Sequence, residues 1–191
     1  NNLRGATIFP HHVGLGCARD GLALVRRVAA AVAREAAASG VNMVYGPCVA
    51  VATDPRWGRT YECYSSEPAH VALLGAAEVA GFLDADVPVI PCAKHFLGDG
   101  ATAPGTGVSG GLDQGDCPLG DEALRETCLP AYQGSVAAGA LAAMASFSSV
   151  RGVPMHAHRR WLTDVLKGEL GFRGFVCSDY DAVEALDSHL P

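Results

Sequence analysis

The 191-residue chain has no CxxC pair among its seven cysteines, no cluster of lysine and arginine, and no apolar run of the ~18 residues that a membrane helix needs. Each absence removes a class of protein. An odd set of cysteines without metal spacing argues against a zinc site or a dense disulfide framework. Cys48, Cys92 and Cys177 lie inside apolar runs and read as small core residues. With 14 Lys+Arg against 20 Asp+Glu, the net charge is −6, and there is no basic footprint for nucleic acid or an anionic membrane. His11-His12 and His156-x-His158 come without a third ligand at helical spacing, so they read as surface or capping histidines and no metal is expected. The first residue is Asn1 and no signal-peptide pattern follows, so the expectation is a processed product or an excerpt.

What is present is apolar material, 49% of the chain, and a regular alternation. Short apolar runs bounded by Gly or Pro cover Ala6 to Phe9, Val41 to Tyr45, Val87 to Ala93, Leu141 to Ser146 and Gly174 to Ser178, which predicts strands buried on both faces. The alanine-rich 141–146 run is the least β-like of them. Helical spacing fills the gaps. Leu22, Val25, Val28, Val32 and Ala36 form one stripe, with Asp20 as N-cap and Gly40 as stop. Pro68 opens a second helix, and Asp121 opens a third that Pro130 should kink. A fourth runs from about Arg159 to Leu170, and a last one begins at Asp181 to Leu186.

Strand–helix alternation at this period predicts an α/β fold with parallel strands and right-handed crossovers. Polar residues gather just after the strand runs, at Lys94-His95, Ser148-Ser149 and Ser178-Asp179, which favours a (β/α)8 barrel over an open doubly wound sheet. Only about five βα units are present where a barrel needs eight, so residues 1–191 are expected to be an incomplete (β/α)8 TIM-like barrel, truncated at both ends.

Two motifs are decoys. Gly105, Gly107 and Gly110 spell a dinucleotide fingerprint, and Ser109 within Gly107–Gly111 spells a nucleophile elbow. Both need a strand entering a helix through the motif, and here no helix is expected before Asp121. No cofactor follows from them.

Four segments carry chemistry. Asp54 to Glu62 brings two guanidinium groups, carboxylates, and Trp57 and Tyr61 as stacking platforms for a sugar, although it equally suits an Arg–carboxylate latch packed by Trp57. Lys94 and His95 at a strand end are costly to bury without purpose and suit vicinal hydroxyls. Asp179 emerges from the Phe175-Val176-Cys177 run, either as a charged centre or as an N-cap. Ser146-Phe147-Ser148-Ser149 ends another strand.

In this order, the stretches Gly5-Ala6-Thr7-Ile8-Phe9-Pro10-His11, Asp54 to Glu62, Ala93 to Gly100, Gly111 to Asp116, Leu162 to Lys167 and Gly171 to Asp179 resemble glycoside hydrolase family 3, in its β-glucosidase and exo-β-glucanase branch. The resemblance implies retaining hydrolysis that releases terminal β-D-glucosyl residues from a β-glucoside or β-glucan oligosaccharide, without cofactor. It implies Asp179 as nucleophile, Arg59, Lys94 and His95 as binders of sugar hydroxyls, and Tyr180 as the aromatic wall beside the nucleophile. It places the acid/base glutamate in a later region, so the chain by itself is expected to be impaired, and a non-catalytic carbohydrate-binding remnant is the alternative. Two departures stand out: Phe147 replaces a tyrosine that hydrogen-bonds the nucleophile, and Ala185 replaces a polar sugar contact.

Overall fold

The computed structural model describes residues 3–189. The chain enters through a short helix, α1 (His12–Gly16), and a long one, α2 (Gly21–Ala38). α2 buries Val25, Ala29 and Ala33, one residue per turn, whereas Leu22 lies 48% exposed off that stripe. Asp20 occupies the N-cap position, but its carboxylate makes no capping bond. The helix stops where predicted, with Gly40 at φ +82 just beyond its end.

The run Ala6 to Phe9 is not a strand. Thr7 donates its N–H (2.9 Å) and hydroxyl (2.7 Å) to the Glu35 carboxylate of α2, and Ile8 is 82% exposed. A strand needs a neighbour to complete its ladder, and this segment is held by a side chain instead.

The remaining elements keep the predicted alternation except for three unpredicted two-residue strands, at 116–117, 149–150 and 153–154. In chain order the elements are β1 (Met43–Val44), α3 (Pro68–Asp84), β2 (Ile90–Phe96), β3 (Asp116–Cys117), α4 (Asp121–Thr127), α5 (Leu129–Ala137), β4 (Ala142–Ala145), β5 (Ser149–Val150), β6 (Val153–Pro154), a π-wound helix α6 (Arg160–Glu169) and β7 (Phe175–Cys177). A 3₁₀ segment, Glu184–His189, replaces the α-helix expected from Asp181. Pro68 fits the first turn of α3, where an amide would have no partner. Pro130 does the same in α5, and the expected kink is a break at Cys128 between α4 and α5.

Four strands form one parallel sheet in the order β1-β2-β4-β7. Every residue of β4 is buried, so packing between β2 and β7 overrides the low β-propensity of alanine. The main core lies between sheet and helices, around Val71, Leu74, Phe96, Tyr132, Trp161 and Leu166. The sheet is open, with β1 and β7 at its edges, and among the described residues no barrel closes. A small second sheet, β3-β5-β6, ties the long 97–120 excursion to the exit of β4. The glycine motifs fall in that excursion, on a 3₁₀ turn (Val108–Gly110), and not on a strand-to-helix junction.

Candidate active site

Because the four strands are parallel, their C-terminal ends share one edge of the sheet, and the polar segments sit there. β2 ends with His95 and Phe96 and leads to Asp99; β4 leads into Ser146, Phe147 and Ser148; β7 leads into Asp179; the long segment after β1 brings Arg59. These residues, with Asp113 and Gln114, line a narrow cleft of about 10 Å³.

The centre of the cleft is a chain of charged contacts. Arg59 holds Glu62 through two bonds, Nε–Oε1 at 2.7 Å and Nη2–Oε2 at 2.9 Å. Burial alone would raise the Glu62 pKa, but this guanidinium outweighs it and keeps Glu62 below the ordinary carboxylate range. Nη2 of Arg59 also lies 3.0 Å from His95 Nε2. On the other side of the ring, His95 Nδ1 is 2.8 Å from Asp99 Oδ2, and Nε2 is 3.9 Å from Asp179 Oδ2.

His95 is only 2% exposed, and burial opposes its charge. The Asp99 carboxylate and the neighbouring Cys48 sulfur favour the charge, and its pKa is raised to about 9. The two ring states meet different partners. Neutral, with its proton on Nδ1 toward Asp99, the ring accepts from Arg59; protonated, it repels Arg59 and turns an N–H toward Asp179.

Lys94 and Tyr180 are not brought into this cleft. Lys94 lines a separate cavity together with His12, Glu62, Tyr64 and Glu78. Tyr180 is 83% exposed, and its contribution is a backbone N–H donated to Asp179 Oδ1 at 2.7 Å. Trp57 is no stacking platform either: it is buried, and its indole N–H donates to Asp113 Oδ1 at 2.9 Å. The 54–62 segment is therefore the latch, with Arg56 closed on Asp54 and Arg59 on Glu62.

Of the histidines expected at the surface, His11 is exposed, whereas His12 and His156 are partnered. His12 donates from Nδ1 to the Glu62 carbonyl (2.8 Å) and from Nε2 to Glu78 (3.2 Å), and stacks on Tyr64 at 4.3 Å between ring centres. His156 Nε2 accepts the Asp179 N–H at 3.1 Å.

Residues 1–190 match the glycosyl hydrolase family 3 N-terminal domain. The chain belongs to glycosyl hydrolase family 3. It is 34% identical to the periplasmic beta-glucosidase of Salmonella typhimurium, over 96% of this chain and 24% of that protein. Among solved structures, the exo-1,3/1,4-beta-glucanase of a Pseudoalteromonas species is 42% identical with a TM-score of 0.86, over 95% of this chain and 23% of that one. A mutant beta-glucosidase of Listeria innocua in complex with laminaribiose is 32% identical with a TM-score of 0.88, over 96% and 25%. The chain thus spans about a quarter of the length of these relatives.

In this family 3 chain, Asp99, Asp113, Gln114 and His156 lie around the cleft, although sequence reasoning gave them no site role and read His156 as a surface or capping residue. For Asp99 a signal existed: a carboxylate four residues after a histidine at a strand end. For the others there was none, because loop folding alone delivers them.

Proposed function

We propose that this chain carries the nucleophile and part of the sugar site of a retaining β-glucosidase that releases terminal β-D-glucosyl residues from β-glucosides or β-glucan oligosaccharides. The observation that carries the reading is the position of Asp179: a carboxylate past the end of the edge strand β7, 3.9 Å from His95, in a cleft that also holds Arg59. In the first step an Asp179 oxygen attacks the anomeric carbon, and the bond to the leaving-group oxygen breaks as that oxygen takes a proton. Water then attacks the glycosyl-enzyme ester, restoring the carboxylate and releasing glucose. Arg59 and His95 hold ring hydroxyls, and this orients the sugar. Lys94 and Tyr180 belong to the sugar site only if ligand or neighbouring chain draws them in. Asp99 and Asp113 are engaged by His95 and Trp57, and the resemblance to the β-glucosidase branch implies that the acid protonating the leaving group is a glutamate of a later region. The complexes reported for the Listeria innocua enzyme, with laminaribiose and with glucose, support the substrate class.

The test is labelling with 2-deoxy-2-fluoro-β-glucosyl fluoride, which needs a nucleophile and little acid assistance. The expected result is a covalent adduct on the peptide carrying Asp179, absent in Asp179→Ala. No adduct, while a full-length relative labels under the same conditions, would leave the non-catalytic carbohydrate-binding reading in its place.

A further inference from the structure

We propose that His156 is a positioning residue for Asp179, a neutral imidazole that ties the backbone beyond β7 to the turn that follows β6. The inference rests on Asp179 being the nucleophile. Ladder pairing between β4 and β7 stops at Met144↔Cys177, two residues before Asp179. Beyond that point, the Asp179 N–H donates to His156 Nε2 at 3.1 Å. A neutral ring that accepts at Nε2 carries its proton on Nδ1, so this side chain satisfies the backbone donor left beyond the end of β7.

The surroundings hold the ring in that state. His156 is half-buried, and burial disfavours its charge more than the Asp179 carboxylate and the Ser146 carbonyl favour it, so its pKa lies below the ordinary histidine value. Its own backbone is anchored as well: Met155 is fully buried and donates its N–H to the Ser148 carbonyl at 3.1 Å. The carboxylate of Asp179, by contrast, takes a hydrogen bond from the N–H of its neighbour Tyr180, and His95 Nε2 lies 3.9 Å from its other oxygen. The backbone tether from His156 is what sets where that carboxylate points. Misplacing a reacting atom by about 1 Å costs about 10²-fold in rate.

The experiment follows the rate of labelling by 2-deoxy-2-fluoro-β-glucosyl fluoride against its concentration, in the full chain, together with hydrogen exchange at the Asp179 amide. His156→Ala is expected to lower the saturating labelling rate about 10–100-fold while leaving the half-saturating concentration unchanged, and to speed exchange at Asp179. His156→Gln, whose amide offers the same acceptor and donor, should restore most of the rate and the protection; a lost packing contact alone would not be rescued this way. Labelling of a folded His156→Ala at the wild-type rate overturns the proposal. So does an unprotected Asp179 amide in the wild type, which decides the matter even if His156→Ala does not fold. A protected amide in a wild type that takes no label overturns the reading of Asp179 as nucleophile, and with it the catalytic role of His156, while confirming the tether.

Discussion

Asp99 Oδ2 sits 2.8 Å from His95 Nδ1, and that contact decides which ring nitrogen faces the cleft. Both side chains are nearly buried, at 10% and 3% exposed. Taking away one partner of such a pair leaves the other without compensation, at a cost of about 3–5 kcal/mol. Asp99→Ala is therefore expected to lower the unfolding free energy by that order in denaturant titration. Asp99→Asn keeps an acceptor and should lose clearly less. Equal losses from the two variants would contradict the pairing.

His12 gives a pH dependence of known sign. Burial opposes its charge, but Glu78 and the Glu62 carbonyl outweigh it and raise the pKa from 6.5 to about 9. The folded state therefore binds the proton more tightly than the unfolded chain. The resulting stability is complete below pH about 6.5 and is lost as pH rises through about 9. The contribution is of order 2–3 kcal/mol, and His95 adds in the same direction. Thermal unfolding should shift to lower temperature between pH 6.5 and 9, with a shallower slope in Glu78→Gln. An unchanged slope in that variant would exclude the pair as the cause.

The edges of the sheet predict association. β1 and β7 each present one unpaired side, flanked by Val41 and Tyr45 on one edge and by Phe175 and Tyr180 on the other, all at least 44% exposed. Such edges pair with other chains. Produced as these 191 residues, the protein should form oligomers in light scattering, and Tyr45→Lys with Phe175→Lys should shift it toward monomer. A monodisperse monomer of the unaltered chain would refute this.

The parallel order was legible because buried strands and amphipathic helices leave different periods in the sequence, and β2, β4 and β7 lie where apolar runs placed them. Ala6 to Phe9 failed for a reason invisible to periodicity, since an apolar run becomes a strand only beside a partner, and Glu35 took the amide of Thr7. His95 and Asp179 were legible as cleft residues because strand ends collect polar residues, and Arg59 because the 54–62 segment concentrates charge. Asp113, Gln114 and His156 were not, because they arrive through the 97–120 excursion and the β5–β6 hairpin, whose paths depend on long-range pairing. Trp57 shows the opposite error: its composition suits sugar stacking, but a bond to Asp113 buries it.

The strand order has a consequence for how the molecule comes into being. In β1-β2-β4-β7, each strand joins the free edge left by the one synthesised before it, with its covering helix already made. Among the described residues, each strand of this sheet pairs with the preceding strand of the sheet, so every closure spans a single crossover. The sheet can grow in step with emergence from the ribosome, one crossover at a time. Asp179 comes last, onto an edge that is already waiting.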